Sequence, residues 1–80
     1  MNIYILIYDY ATPTDQEVSV KPFSKREDAV AELKAKADSL RGDWDESEIE
    51  TDEETRFTAF RYGEYSQNHD ALWIEEHELH

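Results

Sequence analysis

The sequence predicts a single α+β domain in which one helix covers one face of a four-stranded, mainly antiparallel sheet. Three observations lead to this prediction. Eighty residues suffice for one modest core but not for two. Four segments carry the composition or alternation of strands, and one carries helical periodicity. Their order along the chain is ββαββ, for which a helix lying across a single sheet is the simplest arrangement.

The first predicted strand spans residues 2–10 and is rich in β-branched and aromatic residues. Side chains alternate across a strand, so both of its faces are apolar. One face carries Ile3, Ile5 and Ile7, and the other carries Tyr4, Leu6 and Tyr8.

The second predicted strand spans residues 17–22 and forms a hairpin with the first. Its polar and apolar residues alternate, which predicts that Val18 and Val20 point inward. Pro22 is expected to end the strand because proline cannot donate a hydrogen bond to the ladder.

A helix is predicted for residues 25–41. Ser24 and Glu27 have the spacing of a capping box, which satisfies backbone N–H groups at the start of a helix. Gly42 is expected to end the helix in the left-handed conformation. The predicted apolar stripe consists of Val30, Leu33, Ala37 and Leu40.

Two further strands are predicted at residues 55–62 and 71–77. The residues between them include Ser66, Asn68 and Asp70, which favour turns.

The net charge of −12 is concentrated in the second half of the chain. Residues 1–41 contain seven acidic and six basic residues, whereas residues 42–80 contain thirteen acidic and two basic residues. A regional excess of this kind is typical either of a solvated segment that maintains solubility or of a surface that attracts basic partners.

The acidity is densest in residues 43–54, which we call the acidic segment. It contains eight acidic residues and no basic one. Its local structure has two possible readings, a short helix that begins near Ser47 or an edge strand with Ile49 turned inward. In either case Trp44 and Ile49 are expected to attach the segment to the core.

Composition argues against several classes of function. Only eight lysines and arginines are present, too few for a surface that binds nucleic acid directly. With only Gly42 and Gly63 there is no phosphate-binding loop, and no catalytic or metal-binding pattern is recognisable. We therefore expect no enzymatic activity, no cofactor and no metal. No apolar run is long enough for a membrane helix, and the absence of cysteine favours the cytoplasm.

The short length, the lack of cysteine, the opening strand at residues 2–10, the capped helix at 24–42 and the acidic segment together resemble small phage-encoded inhibitors. In particular, the chain resembles the acidic anti-CRISPR proteins and other DNA mimics. The resemblance implies a non-enzymatic inhibitor in the host bacterial cytoplasm. Its carboxylates would occupy the basic DNA- or guide-binding groove of a Cascade-type CRISPR effector, and charge complementarity would favour association.

Two other functions are compatible with the sequence. One is a small interaction module or homodimer that uses the sheet face predicted to lie opposite the helix, with Tyr4, Leu6 and Tyr8. The other is an acidic antitoxin that masks a basic toxin. The predicted partner-binding residues are Asp43, Trp44, Asp45, Glu46, Glu48, Glu50, Asp52, Glu53, Glu54, Glu64, Glu75 and Glu76.

Overall fold

A computed structural model describes residues 1–12, 14–62 and 67–78, with the side chains of residues 62 and 67 excepted. The element order is strand, strand, helix, strand, strand, strand. The elements are β1 (Asn2–Ala11), β2 (Gln16–Phe23), α1 (Arg26–Arg41), β3 (Ile49–Glu53), β4 (Arg56–Tyr62) and β5 (Gln67–Glu78), with a 3₁₀ turn at Glu46–Glu48 before β3.

All five strands form one antiparallel sheet in the order β2-β1-β5-β4-β3. The α+β class is confirmed, but the prediction of four strands in a ββαββ layout is wrong. The strand left out of the four is β3, which the sequence predicts only as one of two readings, because acidic residues are uncommon in strands and obscure the pattern. β3 lies at the edge of the sheet, where exposed charges are tolerated and also discourage pairing with another chain.

The central strand is β5, which joins the N-terminal hairpin to β4 and β3. It begins at Gln67 rather than at the predicted Ala71. Asn68 and Asp70, predicted to lie in a turn, therefore belong to the strand, where Asp70 pairs with Tyr10 on one side and Ala59 on the other.

The core lies between α1 and one face of the sheet. Its fully buried side chains include Leu33 from the helix, Phe57 from β4 and Leu72 from β5. The remaining members of the cluster are Leu6, Ala37 and Ala59, with Tyr8, Phe23, Leu40, Trp44, Ile49 and Ile74 packed around them.

The two faces of β1 are the reverse of the prediction, which placed Tyr4, Leu6 and Tyr8 on the face opposite the helix. Leu6 and Tyr8 pack beneath the helix, so Ile3, Ile5 and Ile7 lie on the uncovered face. The alternation of side chains along a strand shows which residues share a face, but it does not show which of the two faces a helix covers. Both sets are apolar in β1, and this is why the prediction failed.

The prediction that the β2 valines point inward is also wrong. Val18 and Val20 are 56% and 65% exposed. Val20 pairs with Ile7 on the uncovered face, and β2 is the other edge strand of the sheet. The alternation in β2 is real, but the apolar side of this edge strand has no layer against it.

The ends of α1 differ from the predicted caps. The residue that precedes the first helical turn is Lys25 rather than Ser24, and it makes no side-chain capping hydrogen bond. Gly42 adopts right-handed helical angles, with φ of −68° and ψ of −20°, so it is not a left-handed terminator. Its backbone N–H donates to the Leu40 carbonyl oxygen, and the N–H of Asp43 donates to the same oxygen at 2.9 Å and closes a last 3₁₀-type turn.

Candidate acidic interface

The acidic segment is held against the domain at both of its apolar residues. Trp44 and Ile49 pack around the core, as the sequence predicts. The indole Nε1 of Trp44 also donates a hydrogen bond to the Asp70 carboxylate at 2.7 Å. Of the two predicted readings, the edge strand is correct, with a single 3₁₀ turn before it.

The 3₁₀ turn is stabilised by its own last residue. The backbone N–H of Asp45 donates to the Glu48 carboxylate at 3.1 Å. The same carboxylate receives two hydrogen bonds from the Arg61 guanidinium, from Nε at 2.6 Å and from Nη2 at 3.0 Å. Paired hydrogen bonds from a guanidinium are among the stronger polar contacts in proteins. The Arg61 hydrogen bonds and the Asp45 N–H lower the pKa of Glu48.

Two more acidic residues of the segment contact α1. The Arg41 guanidinium forms a bidentate ion pair with Asp52, with its Nε at 2.9 Å from the carboxylate, and these hydrogen bonds lower the pKa of Asp52. Arg26, at the opposite end of the helix, lies 3.4 Å from Glu54. These carboxylates therefore connect β3 and the turn after it to the helix.

Five carboxylates of the segment are exposed and lack a basic partner. Across residues 1–12, 14–62 and 67–78, no arginine, lysine or histidine pairs with them. They are available to a partner without first breaking an internal ion pair. We call this set the acidic edge, and it consists of Asp43, Asp45, Glu46, Glu50 and Glu53.

The acidic edge is less densely charged than duplex DNA. Apart from the 3₁₀ turn, the segment has no helical compaction, so its rise is about 3.3 Å per residue in the strand. Within β3, the free carboxylates of Glu50 and Glu53 are three residues apart, roughly 10 Å at that rise, whereas DNA carries one charge per about 1.7 Å of its axis. The edge therefore does not reproduce the phosphate spacing.

The other predicted partner-binding residues do not join the acidic edge. Glu64 lies outside the described residues. Glu75 and Glu76 lie on β5, which β4 separates from β3, and they face opposite sides of the sheet. Glu76 accepts a hydrogen bond from the Asn2 side chain at 2.8 Å, while Glu75 lies 3.4 Å from the imidazole of His77.

Sequence reasoning missed the polar network that fixes Trp44. Asp70 accepts hydrogen bonds from Trp44 and from the Tyr8 hydroxyl, the latter at 2.6 Å. Burial, followed by the hydrogen bond to Asp70, raises the pKa of Tyr8. The Arg61 guanidinium lies over the Trp44 ring, 5.1 Å from its centroid, at a cation–π distance. No local signal links these residues, which are distant in the chain and adjacent only in the folded sheet.

Among the described residues, shallow hollows lie on both sides of the acidic segment. One, of about 300 Å³, lies between α1 and β3 and is lined by Leu33, Ala37, Arg41 and Asp52 among others. The other, of about 330 Å³, is lined by Trp44, Arg61, His69 and Asp70 among others. Within the part of the chain that the structure describes, no group of three or more potential metal ligands is found. Likewise, none of the described helices is long and apolar enough to cross a membrane.

Fold and surface together define the class as a small α+β domain with an acidic edge strand. Comparison with protein-family models, with curated proteins and with solved structures found no match to this chain.

Proposed function

We propose that this chain is a non-enzymatic binding protein whose acidic edge occupies a basic, nucleic-acid-binding surface of another protein. The proposal rests on one observation, the presence of five exposed carboxylates without basic partners on a segment that is itself anchored. An anchored segment loses little conformational entropy on binding, which favours affinity. Complementary charge also accelerates encounter with a basic surface.

The division within the acidic segment supports this proposal. Glu48, Asp52 and Glu54 are paired with arginines of the same chain, so their role in the free protein is structural. Apart from Asp45, which caps the 3₁₀ turn and is attracted by Arg61, the acidic edge has no comparable internal role. Its charges repel one another and lower the stability of the folded domain. Binding to a basic surface would relieve that repulsion.

The target is proposed to be a protein that itself binds DNA or RNA, with a Cascade-type CRISPR effector as the first candidate because of the resemblance noted above. The chain would act by occupancy, since a bound acidic domain excludes nucleic acid from the same surface. The wide charge spacing means that recognition depends on complementarity to individual lysines and arginines rather than on imitation of a phosphate backbone. Trp44, beside the edge, would add shape and specificity.

The test is a pair of variants with equal change in charge. The edge variant carries Glu46→Lys, Glu50→Lys and Glu53→Lys, which leaves the Glu48, Asp52 and Glu54 ion pairs intact. The control variant carries Asp15→Lys, Glu27→Lys and Glu78→Lys, exposed positions whose side chains make no ion pair among the described residues. Each reversal adds two charge units, so either variant changes the net charge from −12 to −6.

Both variants and the unmodified chain are used to capture partners from bacterial lysate and are mixed with a purified Cascade-type effector. Release of fluorescently labelled DNA from the effector or the captured complex is followed by anisotropy at low and moderate salt. We expect release by the unmodified chain and by the control variant, weaker at higher salt, and none by the edge variant. Equal release by the edge variant, or a complex with a basic toxin that binds no nucleic acid, would contradict the proposal.

A further inference from the structure

An apolar band spans three of the five strands on the face of the sheet that α1 leaves uncovered, and it ends at Arg56 of β4. Val20 of β2, Ile7 of β1 and Trp73 of β5 are direct neighbours in the strand register. Ile5 and Pro22 form the adjacent row. Val20 is 65% exposed, and an exposed apolar patch that spans several strands is typical of an interface. We call this surface the apolar face, with the members Ile3, Ile5, Ile7, Val18, Val20 and Trp73.

The dimensions of the sheet match those of a dimer interface. β1 contains ten residues, which corresponds to a length of about 33 Å. Five strands spaced about 4.8 Å apart give the sheet a width of about 19 Å. One face of the sheet therefore has a projected area of roughly 600 Å², and its side chains make the accessible area larger. A stable protein interface buries about 800 Å² on each partner. A second sheet of the same size would therefore cover this face fully, whereas a short peptide would leave much of it exposed.

The charges on this face also favour a second copy of the chain over a basic partner. The carboxylate of Asp9 lies 3.2 Å from the imidazole of His69, and that of Glu75 lies 3.4 Å from His77. Arg56 lies beside Trp73 in the register. Asp9 and Glu75 thus each lie beside an imidazole, and Glu53 of the acidic edge lies opposite Arg56, so the carboxylates of this face have basic neighbours, unlike most of the acidic edge. Two chains of charge −12 repel one another least when they approach through such a face.

We propose that the apolar face is the interface of a homodimer in which two sheets pack face to face, with the helices on the outside. Two copies have the same twist, so their faces are compatible with the aligned packing of a β-sandwich, with sheets about 10 Å apart. A twofold axis makes the contact self-complementary, so Val20 and Trp73 of each chain contribute to the same interface. This inference does not depend on the proposed function, because the apolar band lies on β2, β1 and β5, away from the acidic segment. Glu53 of the acidic edge faces the same side but lies on the edge strand β3.

The experiment is analytical ultracentrifugation of the unmodified chain and of two variants over a range of concentrations. Val20→Glu places a carboxylate in the apolar band, where it would lose its water in the dimer. Ser19→Glu is the matched control, because it makes the same change in charge at the adjacent exposed residue, whose side chain points to the other face. Both positions are exposed, so both variants should fold, and circular dichroism checks this.

We expect the unmodified chain and Ser19→Glu to form dimers with similar dissociation constants. Val20→Glu should weaken the dimer by more than about tenfold. Higher salt should strengthen the dimer by screening the repulsion between acidic chains, which is the opposite of its expected effect on the binding of a basic partner. This opposite response distinguishes the two proposals.

Three outcomes would overturn the inference. A monomer at all concentrations and salt levels shows that the apolar face does not bind a second copy. A dimer that Val20→Glu leaves unchanged uses another surface. Equal dissociation by both variants indicates pairing through the edge of β2, where both side chains lie, rather than through the face of the sheet.

Discussion

Replacement of Gly42 by alanine tests how α1 ends. The sequence predicts a left-handed glycine at this position, whereas the structure has a right-handed one. A left-handed glycine resists substitution, since a Cβ in that conformation costs about 1–2 kcal/mol. In the structure φ is −68°, and a Cβ at this position would lie 3.8 Å from the Ser39 carbonyl oxygen, an ordinary van der Waals distance. Gly42→Ala should therefore increase the free energy of unfolding by about 0.4–1 kcal/mol, because alanine restricts the unfolded chain.

For a domain of this size, that gain corresponds to an increase in Tm of about 2–8 °C. Urea denaturation and thermal unfolding, both followed by circular dichroism, measure the change. Gly42→Asn is the informative companion variant, because asparagine tolerates the left-handed conformation and is a weaker helix former than alanine. We expect alanine to be more stabilising than asparagine. A loss of about 1 kcal/mol with alanine, smaller with asparagine, would refute the right-handed assignment.

Two other predictions concern the core and the polar network. Tyr8→Phe removes the hydroxyl that donates to Asp70 at 2.6 Å and should lower the free energy of unfolding by about 1–2 kcal/mol at neutral pH in urea titrations; an unchanged midpoint would contradict this. The pKa of Tyr8 is raised in the folded state, so its contribution to stability is complete below pH 10 and declines as the pH rises further. The decline is at most about 1.4 kcal/mol per pH unit, and less where solvent screens the ring. The Tyr8→Phe variant should therefore lose less stability at alkaline pH than the unmodified chain. Phe57→Ala leaves a cavity at a fully buried site and should lower the free energy of unfolding by about 3–5 kcal/mol, out of a total of roughly 4–12 kcal/mol for eighty residues. Its thermal unfolding should therefore begin at a much lower temperature than that of the unmodified chain. A loss under about 1 kcal/mol would show that Phe57 is not a core residue.

The acidic segment shows which parts of a site can be inferred from residue order. Its charge, its limits and its attachment through Trp44 and Ile49 were predictable, because a dense run of acids broken by two large apolar residues is a local pattern. Which carboxylates remain free was not predictable. Arg26, Arg41 and Arg61 are brought to their acidic partners by the packing of α1 and β4 against β3, and this pairing leaves only the acidic edge available.

The sequence by itself determined the α+β class, the helix, the hairpin of β1 and β2, and the location of the acidic segment. Each of these depends on interactions between near neighbours in the chain, such as helical spacing, strand alternation and turn formation. Only the tertiary structure showed that the sheet has a fifth strand, that β5 is central, and which face of β1 the helix covers. It alone also showed that Trp44 and Tyr8 both hydrogen-bond to Asp70. These features depend on contacts between segments far apart in the chain, and when both faces of a strand are apolar, the packing of the helix selects which one is buried.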